Sequence, residues 1–150
     1  ALAEGDFEAA TTCYTTALEH MGRVPFFDLR RADKEEAVEV LEALHINRAL
    51  VYLKMADQAR ILSGAVDSGD ADDYYRAVIA ITGSVLETRA GNIKARYRKA
   101  VAHEKLGDLE GAMAEVNAAL AQAPEHSEMA QLKAHYSTLL PSRTHVALND

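Results

Sequence analysis

One helical segment occurs twice in this chain, once near each end. Residues 5–18 read GDFEAATTCYTTAL and residues 107–120 read GDLEGAMAEVNAAL. Both copies begin with Gly-Asp, continue with an apolar residue and a Glu, and close with Ala-Leu. Because each unit of a repeat buries its apolar face against its neighbours, the repetition predicts stacked helical units. The small residues predict close contacts between helices, and the leading Gly predicts a turn with positive φ.

Apolar residues recur along the chain at the three- and four-residue spacing of helices. The sequence has only three prolines and eight glycines, and it lacks the Asn-Gly and Asp-Gly pairs that are typical of hairpin turns. We therefore predict an all-α protein. The helices are predicted at about residues 7–20, 34–55, 71–88, 92–106, 109–122 and 126–139.

A further copy of the repeat lies in the middle of the chain, with residues 46–55 as its first helix and residues 73–87 as its second. An uninterrupted array with a period of 34 residues would place Val78 and Val85 where the two clear copies have Ala. Since larger residues there would prevent close packing, we prefer an alignment that puts Ala77 at a small position and Ser84 at the next one.

This alignment requires two insertions, at about residues 25–41 and 55–72. We expect the first to be partly loop and partly an extension of the second helix, and the second to be a short helix followed by an acidic turn. The repeats then form one domain over residues 1–140, followed by a C-terminal tail at 141–150. Only ALAE precedes the first copy, so we expect the first helix of the domain to be truncated.

The charge balance is acidic, with 23 acidic and 16 basic side chains and a formal net charge of -7. Nucleic acids and anionic membranes require a broad positive field, so neither is an expected partner. The single cysteine, Cys13, excludes a disulfide framework and is expected to be a small core residue. The sequence has neither a signal peptide nor a membrane-spanning segment, so we expect a cytoplasmic protein.

Metal and nucleophilic chemistry have little support in the sequence. The six histidines include no pair four residues apart, and DSGDADD at 67–73 lacks the ligand order of a calcium loop. No His or carboxylate is placed beside Cys13 to activate it. We expect neither a cofactor, a metal nor a catalytic activity.

The helix pairs resemble tetratricopeptide repeats. In the third copy the characteristic positions of that family are Ala100, Ala112, Val116, Ala119 and Pro124, with His103 where Tyr is usual. In the second copy they are Ala49, Tyr52, Ala77, Ile81 and Ser84. The resemblance implies an α-solenoid of three helix pairs followed by a C-terminal capping helix.

Within that family, INRALVY at 46–52 and KARYRKA at 94–100 are similar to the co-chaperones that hold a peptide in a carboxylate clamp. This resemblance implies clamp residues Asn47, Lys94 and Arg98. The implied partner is the acidic C-terminal tail, Glu-Glu-Val-Asp, of heat-shock chaperones of the 70 or 90 kDa class. The family's other clamp donors, a Lys and an Asn, belong to the truncated first helix.

Residues 74–103 particularly resemble immunophilin-like co-chaperones of the FK-binding or cyclophilin type, in which a prolyl-isomerase domain precedes the repeats. No isomerase domain is present in this sequence, so an enzyme of that kind would need an upstream domain. The alternative function is a scaffold of the same fold that binds a client protein through apolar contacts. Phe26 and Phe27, in the first insertion, are its candidate anchors.

Four cations occur within residues 94–99, and we call Lys94, Arg96, Arg98 and Lys99 the basic run. Their spacing supports an anion site. Lys94 and Arg98 are one helical turn apart, so their side chains leave the same face and can share one target. Lys offers a point charge and Arg a planar fork, which suits a terminal Asp with two carboxylates. Arg96 and Lys99 should point elsewhere, and we expect the stem of Arg96 to pack while its guanidinium reaches solvent.

Overall fold

A computed structural model of the chain describes residues 6–25, 29–63 and 69–140. The described residues contain helices and turns and no strand, so the all-α prediction is confirmed. Phe26, Phe27 and the predicted tail at 141–150 lie outside the described residues. The helices, in chain order, are α1 (Phe7–Gly22), α2 (Arg31–Ser63), α3 (Gly69–Thr88), α4 (Ile93–Lys105), α5 (Leu109–Gln122) and α6 (Ser127–Leu139).

The helices form a solenoid. Each packs on the next along the chain, and beyond these sequential contacts α2 also packs on α4. This pattern is that of stacked helix pairs, in which the first helices of successive pairs meet on one side. The fold is therefore an all-α solenoid of helix pairs that ends in a C-terminal helix, and α2 and α4 together form one of its surfaces.

Alanines at the helix contacts allow the close packing. Ala100, Ala112 and Ala119 are completely buried, and they pack with Val116 and with Met129 and Tyr136 of α6. A second cluster joins α2, α3 and α4 through Ala49, Ala56, Ala71, Tyr75, Val78 and Ala102. A backbone lined by Ala lets a neighbouring helix approach, while the larger residues fill the remaining space.

The preferred register of the middle copy is wrong by one residue in α3. The buried residues of this helix include Val78, Thr82 and Val85, whereas Ser84 is exposed and Ala77 is only half-buried. Val78, Thr82 and Val85 lie 34 residues before Ala112, Val116 and Ala119, the period of the uninterrupted array. Larger residues are tolerated in this helix, and the buried Thr82 hydroxyl donates a hydrogen bond of 2.7 Å to the Val78 carbonyl.

Helix α2 is longer than predicted, because it begins at Arg31 and continues to Ser63. The predicted separate short helix in the second insertion does not form, since residues 56–63 continue α2 instead. Arg60 fixes this extension: its Nη2 donates to the Lys105 carbonyl at 2.5 Å, and its guanidinium lies 5.0 Å from the centre of the Tyr75 ring.

Two local predictions have opposite outcomes. Gly107, in the turn before α5, has φ of 81°, as the repeat predicted. Cys13 is exposed, so its assignment to the core is wrong. Ala10 is the only buried residue of α1, so this helix buries too little of its surface to enclose Cys13.

Within the part of the chain that the structure describes, no helix combines the length and the apolar character that crossing a membrane requires.

Candidate functional site

A groove of about 350 Å³ lies between α2 and α4, on the surface that these two helices share. Asn47 of α2 and Lys94 of α4 both line it, and both residues are exposed. The structure therefore brings two of the three predicted clamp residues into one groove. The complete lining is Glu39, Glu42, Ala43, Ile46, Asn47, Arg89, Asn92 and Lys94.

Arg98, the third predicted residue, lies one turn beyond Lys94 and does not line this groove. It is half-buried, and its Nη1 donates to the backbone carbonyl of Ile46, the residue before Asn47. Burial lowers the pKa of Arg98, and the nearby Tyr14 hydroxyl of α1 acts in the opposite direction. The guanidinium is thus held beside Asn47, where α1, α2 and α4 meet.

The other two cations of the basic run have an anion within the chain. Arg96 Nη1 lies 2.8 Å from one oxygen of Glu115, and Lys99 Nζ lies 2.7 Å from the other. Arg96 also donates twice to the Ala90 carbonyl, and only 14% of its side chain is exposed. The prediction that Arg96 and Lys99 point elsewhere is correct, but the prediction that the Arg96 guanidinium reaches solvent is wrong.

Lys94 differs from its neighbours because it has no carboxylate partner among the described residues. The Arg98 guanidinium likewise makes no ion pair there, and only one of its N–H groups is used in a hydrogen bond. An ammonium and a guanidinium therefore remain available for an external anion, next to an exposed amide.

The groove also holds charges that the sequence analysis missed. Glu42 accepts a hydrogen bond from Asn92 Nδ2 and forms an ion pair of 3.2 Å with Arg89, which also lies 3.7 Å from Glu39. Glu39 lies in the first insertion, Glu42 directly follows it, and Arg89 lies between α3 and α4. None of the three is therefore at a position that the repeat pattern identifies. At this end of the groove, the carboxylates of Glu39 and Glu42 are therefore already paired within the chain.

Lys54 is a further residue that the sequence analysis missed. It follows Asn47 by seven residues on α2, which places both on the same side of the helix. Lys54 is exposed and makes no ion pair with a described residue. The seven-residue spacing was available in the sequence, and it extends the positive surface beyond the groove.

The family of the repeat follows from comparison with known protein families, because residues 66–136 match the model described as tetratricopeptide repeat. This segment, a little under half of the chain, is similar to tetratricopeptide repeats. It contains α3, α4, α5 and most of α6, and the preceding α2 packs on α3 as the first helix of the same pair. Tetratricopeptide repeats bind partner proteins or peptides, so protein–protein interaction is the class of function that this match supports.

Asn47 lies before the matched segment, whereas Lys94 and Arg98 lie inside it. The predicted site therefore spans two helix pairs and depends on the contact between α2 and α4. No cluster of three or more His, Cys, Asp or Glu side chains that could hold a metal occurs in the described ranges 6–25, 29–63 and 69–140.

Proposed function

We propose that this chain is a co-chaperone adaptor that binds the acidic C-terminal tail of a heat-shock chaperone of the 70 or 90 kDa class through Asn47, Lys94 and Arg98. The supporting observation is that the fold pairs two cations of the basic run with a carboxylate of the chain and leaves Lys94 accessible. Arg96 and Lys99 are neutralised by Glu115, whereas Lys94 makes no ion pair with a described residue and lies in the groove that Asn47 also lines.

The chemistry of the three groups suits a C-terminal Asp. The Lys94 ammonium attracts one carboxylate as a point charge, the Arg98 fork can donate to the second, and the Asn47 amide adds a donor without adding charge. Hydrogen bonds to charged groups contribute roughly 1.5 to 3 kcal/mol each. Three of them sum to about 4.5 to 9 kcal/mol, so micromolar affinity, about 8 kcal/mol after the ordering of the peptide is subtracted, also requires contacts with the preceding residues of the tail.

Arg98 does not have to give up its contact with Ile46 in order to bind a peptide. A guanidinium has five N–H groups, and the carbonyl of Ile46 accepts only one hydrogen bond from it. The contact instead restricts the rotamers of Arg98 before the peptide arrives. Such restriction reduces the entropy that is lost on binding.

The test is a titration of a labelled peptide that ends in Glu-Glu-Val-Asp, in free-acid and C-terminally amidated forms, followed by fluorescence anisotropy. We expect the free acid to bind and Lys94→Ala to weaken it about 10- to 100-fold, the loss of one hydrogen bond to a charged group. Amidation should weaken binding to a similar extent.

Lys99→Ala is the matched control, because it removes a lysine from the same helix that is already paired with Glu115. It should leave the affinity for the tail within about twofold of the wild type. Equal effects of the two alanine substitutions, or equal binding of acid and amide, would show that the groove does not recognise the terminal carboxylates.

We further propose that the adaptor acts in the cytoplasm and has no catalytic activity of its own. A prolyl-isomerase assay on this chain should therefore give the uncatalysed rate. Activity in that assay would contradict the assignment as an adaptor.

A further inference from the structure

One end of the groove between α2 and α4 is crossed by a bridge of polar side chains. Glu42 of α2 accepts a hydrogen bond from the side chain of Asn92, the residue that caps α4, and its other oxygen lies 3.2 Å from Arg89 Nε. Arg89 Nη2 also lies 3.7 Å from Glu39, which is one turn earlier on α2. We call Glu39, Glu42, Arg89 and Asn92 the end wall, and all four line the groove.

The end wall lies on the same side of the proposed tail-binding residues on both helices. Glu42 precedes Asn47 by five residues on α2, which is about 7.5 Å along the helix axis. Asn92 precedes Lys94 by two residues at the start of α4. Because the bridge joins the two helices that form the groove, it closes the space between them at that end. The proposed position of the terminal Asp is therefore next to the end wall.

Glu42 is held firmly in this bridge. Only 15% of its side chain is exposed, and both of its oxygens have partners on the other side of the groove. Asn92 is fixed in turn, because its side-chain oxygen accepts a hydrogen bond of 2.9 Å from the Ala95 amide while its nitrogen donates to Glu42. Moving Glu42 aside would leave a largely buried carboxylate and the Asn92 amide nitrogen without these partners, which is costly.

A wall of this kind distinguishes a chain end from an internal residue. A peptide that ends at the Asp held by Asn47 and Lys94 places nothing beyond its carboxylates. A peptide that continues has to displace the end wall, because each further extended residue spans about 3.3 Å. Two further residues span about 7 Å, which is close to the distance from Asn47 to Glu42 along α2.

We propose that the end wall makes the groove specific for a chain terminus, and that Glu42 is the residue that determines this specificity. The inference rests on the proposed binding of an acidic tail. An acidic residue inside a longer segment is then rejected by a steric and polar obstacle, in addition to the loss of the terminal carboxylate. The bound tail extends in the opposite direction, past Asn47 toward the exposed Lys54.

Two effects of Glu42 can be separated by substitution. Its charge repels every acidic peptide, whereas its bulk and its hydrogen bond to Asn92 obstruct only a peptide that continues past the Asp. Glu42→Gln removes the charge but keeps the bulk and an oxygen that accepts from Asn92. Glu42→Ala removes both effects.

The test compares three peptides by competition in the anisotropy titration. They are Glu-Glu-Val-Asp with a free C-terminus, the same sequence amidated, and an amidated Glu-Glu-Val-Asp-Gly-Gly. The two amides carry the same charge, so the ratio of their affinities measures only the obstacle beyond the Asp. We expect the extended amide to bind the wild-type chain about fivefold or more weaker than the short amide. Glu42→Ala should bring the two amides within about twofold of each other, and Glu42→Gln should keep the wild-type ratio.

Arg89→Ala is a second variant, which opens the end wall without replacing the largely buried Glu42. Arg89 lies between α3 and α4, and 46% of its side chain is exposed, so its replacement should not disturb folding. It should also reduce the ratio between the two amides, by about twofold or more. If Glu42→Ala does not fold, the result for Arg89→Ala decides.

Glu35→Ala is the matched control. It removes a carboxylate and an ion pair from α2, as Glu42→Ala does, but Glu35 pairs with Arg31 and does not line the groove. The ratio between the two amides should stay at its wild-type value in this variant.

Equal binding of the two amides to the wild-type chain would overturn the inference, and so would a wild-type ratio in both Glu42→Ala and Arg89→Ala. If the free acid still binds, either result leaves the proposed tail site intact. Absence of binding by all three peptides would instead overturn the proposed tail site, and the role of the end wall with it.

Discussion

Replacing Glu115 with Gln should destabilise the fold substantially, because this carboxylate neutralises two cations at the contact between α4 and α5. Its oxygens lie 2.8 Å from Arg96 and 2.7 Å from Lys99, and the three side chains are only 13%, 14% and 21% exposed. Removing one partner of a fully buried pair costs about 3 to 5 kcal/mol, and exposed pairs contribute less than about 1 kcal/mol. Arg96 keeps its hydrogen bonds to the Ala90 carbonyl, which reduces the loss. We therefore expect a loss of roughly 2 to 3 kcal/mol in the free energy of unfolding.

The assay is urea unfolding followed by circular dichroism, in which this loss lowers the midpoint by about 1 to 2 M at the usual slope for a domain of this size. Glu35→Gln is the matched control, because Glu35 pairs with Arg31 at 3.3 Å on an open surface where the side chains are 67% and 94% exposed. It should cost less than about 0.5 kcal/mol. Losses that agree for the two variants would show that burial does not strengthen the ion pairs of Glu115.

Four further substitutions test a turn, a half-buried histidine and the charge of the groove. Gly107→Ala should lower the free energy of unfolding in urea by about 1 kcal/mol, because φ is 81° at this position. Gly22→Ala is its control, since Gly22 lies at the end of α1 with no atom near the new methyl group, and this substitution should not destabilise the fold. Burial, and to a smaller extent the charge of Arg48, lower the pKa of His45 below its usual 6.5. Because the unfolded chain therefore takes up a proton at higher pH than the folded chain, the free energy of unfolding should fall as the pH drops through about 6.5. His45→Gln should reduce that fall in unfolding curves at pH 7.5 and 5.5. Glu42→Gln removes a negative charge from the groove and should tighten the acidic tail peptide severalfold in the anisotropy titration; weaker binding would contradict the proposed electrostatics.

The positions of the helices could be predicted because their signals are local. Asp108 accepts a hydrogen bond from the Gly111 amide at 2.8 Å, and Asn92 accepts one from Ala95 at 2.9 Å, so both residues cap helices near the predicted starts. The end of α2 was missed for a related reason. Residues 56–63 read ADQARILS and contain no breaker, and the repeat length, rather than the local sequence, suggested a stop at 55.

The register of α3 could not be predicted from residue size alone. Ala77 looked correct because Ala occupies the corresponding contact in α5, and Val78 looked too large for it. The structure buries Val78 and Val85 where α5 has Ala112 and Ala119. The distance between two packed helices depends on the side chains of both. The residues of α3 alone therefore do not determine which of its positions must be small.

Which cations of the basic run are paired within the chain could be predicted only in part. The pairing of Lys99 with Glu115 has a signal in the sequence: the two residues lie eight positions before and eight after Gly107, so an antiparallel helix pair that turns there brings them level. The contact of Arg98 with the Ile46 carbonyl has no such signal, because it joins residues 52 positions apart in different helix pairs. Helical spacing told us that Lys94 and Arg98 share a face, but not which cations the fold would neutralise. That division follows from the packing of α5 on α4, and it is what leaves Lys94 available to a ligand: a basic run becomes a binding site only to the extent that the chain's own carboxylates cannot reach it.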